Sequence, residues 1–177
     1  IFQTPRLLPW RTVYENISLV LPKGDPRRAG IPAMLERVGL AEAANAYPEQ
    51  LSLGMQRRAA LARGFILQPK ILLMDEPFVS LDYDTVEQLR DLLLELWHAR
   101  PTTVLFVTHD MREALVLADR LVLLSGTPGH VVADFPVGLA RNRRQSSPEI
   151  ERLRDEILRR HRELIGAAAA AAAASVE

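Results

Sequence analysis

The sequence has no cysteine, no apolar run long enough to cross a bilayer, and no excess of either charge. Without cysteine there is no disulfide framework and no thiolate metal site, and the composition suits a reducing compartment. A membrane-spanning helix needs roughly 20 consecutive apolar residues; nothing in the chain approaches that, and no signal peptide opens it. Lys+Arg and Asp+Glu are both 22, which removes the global field expected of a nucleic-acid or anionic-membrane binder. What remains is 177 residues, 48% hydrophobic and 25% charged, enough for one domain with a real core.

Against those absences stands Ile71-Leu72-Leu73-Met74-Asp75-Glu76-Pro77. An unalternated apolar run this short predicts a strand buried on both faces, with the two carboxylates at its carboxyl end. In an open parallel α/β sheet the ligand crevice lies outside those ends. Taken alone, the seven residues fit equally a strand running into an ordinary acidic turn. Next, Asp84 with Glu87 reads as a capping box opening a helix from about 84 to 99, with Val86, Leu89, Leu93, Leu96 and Trp97 as its apolar stripe. Pro101 ends that helix, and residues 102–108 repeat the buried-strand pattern. Strand, helix, strand is a crossover unit, so the two strands run parallel and His109 emerges at the same sheet edge as Asp75 and Glu76. Asp110 with Glu113 caps a further helix, 121–124 is another strand, 125–129 a turn, and 130–137 an antiparallel edge strand.

The chain before the acidic strand is helical. Pro5 and Pro9 break a strand end into a loop, with Gln3 the polar residue at that end. Thr12 and Glu15 form a capping box for a helix over 12–21 carrying Val13, Ile17 and Val20. A second helix is expected over 31–38, closed by Gly39, and a short one over 41–46. Residues 12–50 thus make a helical insert without a strand. Ser52 is an N-cap for a helix that runs on until Pro69 stops it. Its free N–H groups and positive dipole end suit an anion, with Gly54 allowing close approach. A plain capped helix with solvated Arg57, Arg58 and Arg63 fits the same residues.

Two carboxylates and a histidine at one edge of a parallel sheet make a site. Asp75 suits a hydrated magnesium ion, which is usually bound through one or two carboxylates plus substrate phosphates. Glu76 could then orient or deprotonate a water, and His109 could contact a transferring phosphoryl group. Five segments, in order, resemble the motifs of an ATP-binding cassette (ABC) ATPase: Gln3 the Q-loop, Leu51-Ser52-Leu53-Gly54-Met55 the signature motif, residues 71–76 the Walker B strand, Ser80-Leu81-Asp82 the D-loop, and His109 the switch histidine. The resemblance covers about residues 1–137. More narrowly, Gln3-Thr4-Pro5-Arg6-Leu7-Leu8-Pro9-Trp10, Asp75-Glu76-Pro77-Phe78 and Gly126-Thr127-Pro128-Gly129 are similar to the ATPases of nitrate, sulfonate and taurine importers.

That resemblance implies an α/β, P-loop NTPase-like parallel sheet with a helical subdomain at about 4–65 and a catalytic core at about 66–137; beyond it, the residue pattern gives a helical extension at 138–165 and a low-complexity tail at 166–177. The resemblance also implies Glu76 as catalytic base, Asp75 as the magnesium-associated acid and His109 as the γ-phosphate sensor. Gln3 would contact magnesium and the attacking water. Ser52, Gly54 and Met55 would lie at the ATP held by a second protomer of a homodimer, and Asp82 would shape the contact between the two. The helical subdomain would dock membrane-spanning permease subunits on the cytoplasmic side of the inner membrane. A solute-binding protein would be reached only indirectly, and no nucleic acid is expected. Leu53 departs from the pattern, since the usual signature has glycine there, and it adds a side chain where a phosphate approaches.

A larger departure concerns lysine, which occurs only as Lys23 and Lys70, each after a proline. The Gly-x-x-x-x-Gly-Lys-Ser/Thr loop that cradles nucleotide phosphates is therefore not in these residues. The expectation is the C-terminal part of a cassette, inactive on its own, that in its intact form hydrolyses ATP to drive solute uptake. The alternatives are a truncated or degenerate cassette that only binds a partner, and an ABC ATPase outside transport. After Arg141, Arg143 and Arg144, a solvated amphipathic helix is expected over 146–165, and the alanine run 167–174 is low complexity with nothing to pack.

Overall fold

The computed structural model describes residues 1–125, 129–139, 145 and 147–160. Local chemistry sets its first helix, α1 (Val13–Ser18). Glu15 donates its backbone N–H to Thr12 Oγ1 (3.2 Å) while its carboxylate accepts from the Thr12 N–H (2.9 Å), the reciprocal pair the sequence predicts. α2 (Ile31–Arg37) is followed by Gly39 at φ 65°, a left-handed position that glycine takes without strain. The short helix expected over 41–46 is instead a run of turns. Ala43, Ala44 and Ala46 each donate to the carbonyl three residues back, so no four-residue helical bond forms. Ser52 caps α3 (Leu53–Phe65) by accepting from the Met55 N–H at 3.2 Å. The helix ends before Pro69 rather than at it, because Gln68 turns the chain at φ 52°. Val13, Ile17, Ile31, Leu35, Leu61 and Phe65 fill the core among these helices.

The chain then forms β1 (Ile71–Asp75), α4 (Tyr83–Ala99) and β2 (Thr103–Val107). β1 and β2 are parallel, with Ile71 opposite Thr103 and Asp75 opposite Val107, as a crossover requires. On the other edge of β1, the Ile1 nitrogen donates to the Leu73 carbonyl (2.7 Å) and the Ile1 carbonyl accepts from the Asp75 N–H (2.9 Å). The expectation of strands buried on both faces is corrected. Leu72 and Met74 are buried, but Ile71 and Leu73 are 62% and 59% exposed, and Leu105 and Val107 on β2 are 59% and 50% exposed. Side chains alternate across a strand, and among the described residues only one face of this pair is covered.

Contacts divide the chain into two compact units, Ile1–Val107 and Thr108–Glu177. The second holds α5 (Met111–Leu117), β3 (Arg120–Ser125), β4 (His130–Pro136) and α6 (Pro148–Arg160). Asp110 caps α5 by accepting from the Arg112 and Glu113 N–H groups, as the sequence predicts. β3 and β4 pair antiparallel, with an irregularity between Leu123 and Leu124. Leu115, Val116, Leu121, Val137, Ile150 and Ile157 form this unit's core. The tail helix is amphipathic, burying Ile150 and Ile157 two turns apart. The turn residues Gly126, Thr127 and Pro128, the arginines at 141, 143 and 144, and everything after Arg160, the alanine run included, lie outside the described residues.

Candidate functional site

The acidic pair sits where β1 stops. Asp75 is exposed, opposite Val107 at the end of β2, and its N–H is taken by Ile1. Glu76 donates its N–H to the Val107 carbonyl at 2.9 Å and then turns at φ 43°. That is uncommon for a residue with a side chain, and such outliers gather at functional sites. Pro77 and Phe78 go inward, Phe78 packing its ring 5.8 Å from that of Phe106. Ser80 is left-handed again at φ 64°. The loop 76–82 thus leaves the strand through one strained residue and carries a second just before Asp82. Gln3, exposed, follows the Ile1–Phe2 segment paired to β1, so the first unit carries Gln3, Asp75 and Glu76 on adjoining backbone.

Asp82 is the true cap of α4. Its Oδ1 accepts from the Thr85 N–H (2.9 Å) and its Oδ2 from the Thr85 hydroxyl (2.7 Å), and these bonds hold its carboxyl below the usual carboxylate range. The predicted Asp84–Glu87 box does not form, because the helix already starts at Tyr83, and Glu87 pairs instead with Arg90. The N-termini of α3 and α4 open on one cavity of about 250 Å³. Ser52, Leu53, Gly54 and Arg58 line one side, and Ser80, Leu81, Asp82, Thr85, Gln88 and Leu89 the other. Ser52, Gly54 and Asp82, predicted from separate motifs, therefore share a site. Met55 contributes its N–H to the cap rather than a side chain to the lining. Gly54 has a packing reason, since a Cβ there would stand 2.9 Å from Thr85 Cγ2. Leu53 keeps 38% of its surface exposed at the cavity edge.

The arginines of α3 are not solvated ornaments, which corrects the simplest expectation. Arg57 is buried and donates to the Phe2 and Val79 carbonyls, both at 3.2 Å. Arg63 donates to the Arg6 carbonyl (2.9 Å) and the Pro5 carbonyl (2.8 Å), and Arg58 to the Val38 carbonyl (3.3 Å). The signal that could have found Arg57 is its spacing, three and four residues before the buried Ala60 and Leu61, which puts it on the inner face.

His109 lies in the second unit, immediately before the Asp110 cap. Among the described residues no three histidine, aspartate or glutamate side chains gather to hold a metal by themselves. A single exposed carboxylate such as Asp75 still fits magnesium, which usually keeps water and substrate phosphates as its other ligands. Exposed N–H groups at the start of α3 fit a phosphate oxygen.

Residues 1–79 match the ABC transporter family. The chain is 44% identical over 158 residues to an aliphatic sulfonates import ATP-binding protein of Pseudomonas syringae pv. tomato, covering 89% of this chain and 68% of that one. It is 42% identical to the counterpart from Pseudomonas fluorescens, covering 89% of this chain and 60% of the relative. With the counterpart from Bacillus subtilis the figures are 39% identity, 89% and 62%. The chain thus spans about two thirds or less of these relatives' own length.

Proposed function

The chain belongs to the ABC transporter family of ATP-binding proteins, and from that premise we propose that it is the hydrolysing half of an importer ATPase, coupling ATP hydrolysis to uptake of a small solute of the sulfonate class. The observation that carries this is the convergence of Ser52, Gly54 and Asp82 on one cavity, in the same unit as a carboxylate pair leaving the end of a parallel strand. Glu76 takes the proton of an attacking water, a general-base role worth typically about 10²–10⁴ in rate. Asp75 and Gln3 hold a hydrated magnesium ion, which when bound offsets charge on the phosphates. His109 contacts the transferring phosphoryl group. Ser52 and the N–H groups opening α3 receive the terminal phosphate of nucleotide held by a second copy of the chain, and Asp82 lies at the contact between copies. The helical segment before α3 docks the permease, which places the protein as a peripheral subunit on the cytoplasmic side. Among the described residues no helix is long and apolar enough to cross a membrane.

These 177 residues contain no Gly-x-x-x-x-Gly-Lys-Ser/Thr loop, so the test supplies one. A segment carrying such a loop, taken from a member of the family, is fused before Ile1, and magnesium-dependent ATP turnover is measured. The 177-residue chain alone is expected to show none. The fusion is expected to turn over, and Glu76→Gln to reduce that rate by at least about 100-fold while nucleotide still binds. Full turnover in Glu76→Gln rejects the assignment. An inactive fusion that still binds permease supports a partner-binding module instead.

A further inference from the structure

We propose that Arg57 is a positioning residue that couples the segment carrying Gln3 to the loop carrying Asp82, so that a shift of one is felt by the other. The coupling, not the chemistry at either end, is the new claim, and its relevance to turnover rests on the function proposed above. α3 holds the first residues of the chain along its length. Gly64 leaves room for Ile1, whose Cδ1 would be 3.2 Å from a Cβ there. Arg57 takes the Phe2 carbonyl, and Arg63 takes those of Pro5 and Arg6. Residues 57 and 64 lie about two helical turns apart on the same side of α3, so this helix is a rail for residues 1–6.

The loop 76–82 is held differently. Its two left-handed residues, Glu76 and Ser80, flank Val79, and the turn between them is closed only weakly, by the Val79 N–H to the Glu76 carbonyl at 3.4 Å. Arg57 grips the Val79 carbonyl with the second arm of the same guanidinium that grips Phe2. Because the guanidinium is planar and its donors are fixed in a fork, the two carbonyls cannot move independently while both bonds stand. Its buried Nε has no hydrogen-bond partner among the described residues. Burial lowers its pKa, and the bonds to the two carbonyls stand against that cost, so the group serves to join what its two arms hold.

The test needs no nucleotide, so it fails or succeeds independently of the ATPase assignment. Amide hydrogen exchange is read by NMR on the whole chain at two reporters: Asp75, whose N–H bonds to Ile1, and Val79 in the loop. Arg63→Ala loosens residues 5 and 6 without touching the loop. With Arg57 present, Arg63→Ala is expected to speed exchange at both reporters, by about tenfold at Val79. In the Arg57→Gln background, Arg63→Ala should still speed exchange at Asp75 and leave Val79 where Arg57→Gln alone put it. A merely stabilising arginine would give additive effects at every amide. If Val79 ignores Arg63→Ala in the presence of Arg57, or responds equally in both backgrounds, the coupling is refuted. Should Arg57→Gln not fold, Arg57→Lys keeps the charge, lacks the fork and is held to the same two outcomes.

Discussion

Asn16 shows how one side chain fixes the loop that follows Gln3. It is fully buried; its Oδ1 accepts from the Leu8 N–H at 2.7 Å and its Nδ2 donates to the carbonyls of Leu8, Arg11 and Thr12 at 3.0–3.2 Å. Replacing it by leucine strands those groups away from water, at a cost of about 2–4 kcal/mol. The expected result is a lower urea midpoint with unchanged slope, together with altered fluorescence of the exposed Trp10. Asn16 was not legible in the sequence, where it interrupts the apolar spacing of α1 as any surface residue would. A second residue-scale prediction concerns pH. Asp25 accepts from the Arg27 side chain and backbone, which lowers its pKa to about 2 from 3.8. A depressed carboxylate adds stability above its unfolded pKa, and that increment is lost as pH falls from about 4 towards 2. Asp25→Asn should remove this part of the acid dependence, checked by urea midpoints across that range.

The caps and the crossover were legible because they depend on neighbours in sequence. Thr12, Ser52 and Asp110 cap as their spacing predicts, and β1 and β2 are parallel because α4 joins them. Asp84 was the wrong choice for α4 because two acids two residues apart compete, and Asp82 wins by accepting two hydrogen bonds from Thr85. The cavity between the starts of α3 and α4 was invisible, since it depends on how two helices far apart in sequence approach. That approach is tight enough to test. Gly54→Ala must displace Thr85 Cγ2, whose hydroxyl is already committed to Asp82, so overpacking should cost about 1–2 kcal/mol. Thr85→Ser removes the offending methyl and keeps the hydroxyl. In that background Gly54→Ala should be close to neutral, a coupling that a double-mutant cycle on unfolding midpoints measures.

At the scale of the whole chain, sequence pattern failed where it needed to know what covers a sheet. An unalternated apolar run does not say whether both faces find partners, and in β1 the outward set is Ile71 and Leu73, continued on β2 by Leu105 and Val107. Contiguous exposed apolar surface of this kind binds hydrophobic dyes and promotes association. Leu73→Thr with Leu105→Thr should therefore lower anilinonaphthalene sulfonate fluorescence and shift sedimentation towards the monomer, while circular dichroism stays the same.

The arginines of α3 differ in kind from the ion pair that joins α5 to α6. Arg112 meets the Glu151 carboxylate at 2.6 Å in an exposed setting, and salt weakens such attraction over a screening length of about 10 Å at 0.1 M. Among the described residues, the hydrogen bonds of Arg57, Arg58 and Arg63 go to carbonyl oxygens, which carry no net charge to screen and no proton to lose. Concentrated salt should therefore weaken the bond between α5 and α6 while the arginine–carbonyl joints along α3 hold, so ionic strength is a handle that slackens one kind of joint and spares the other.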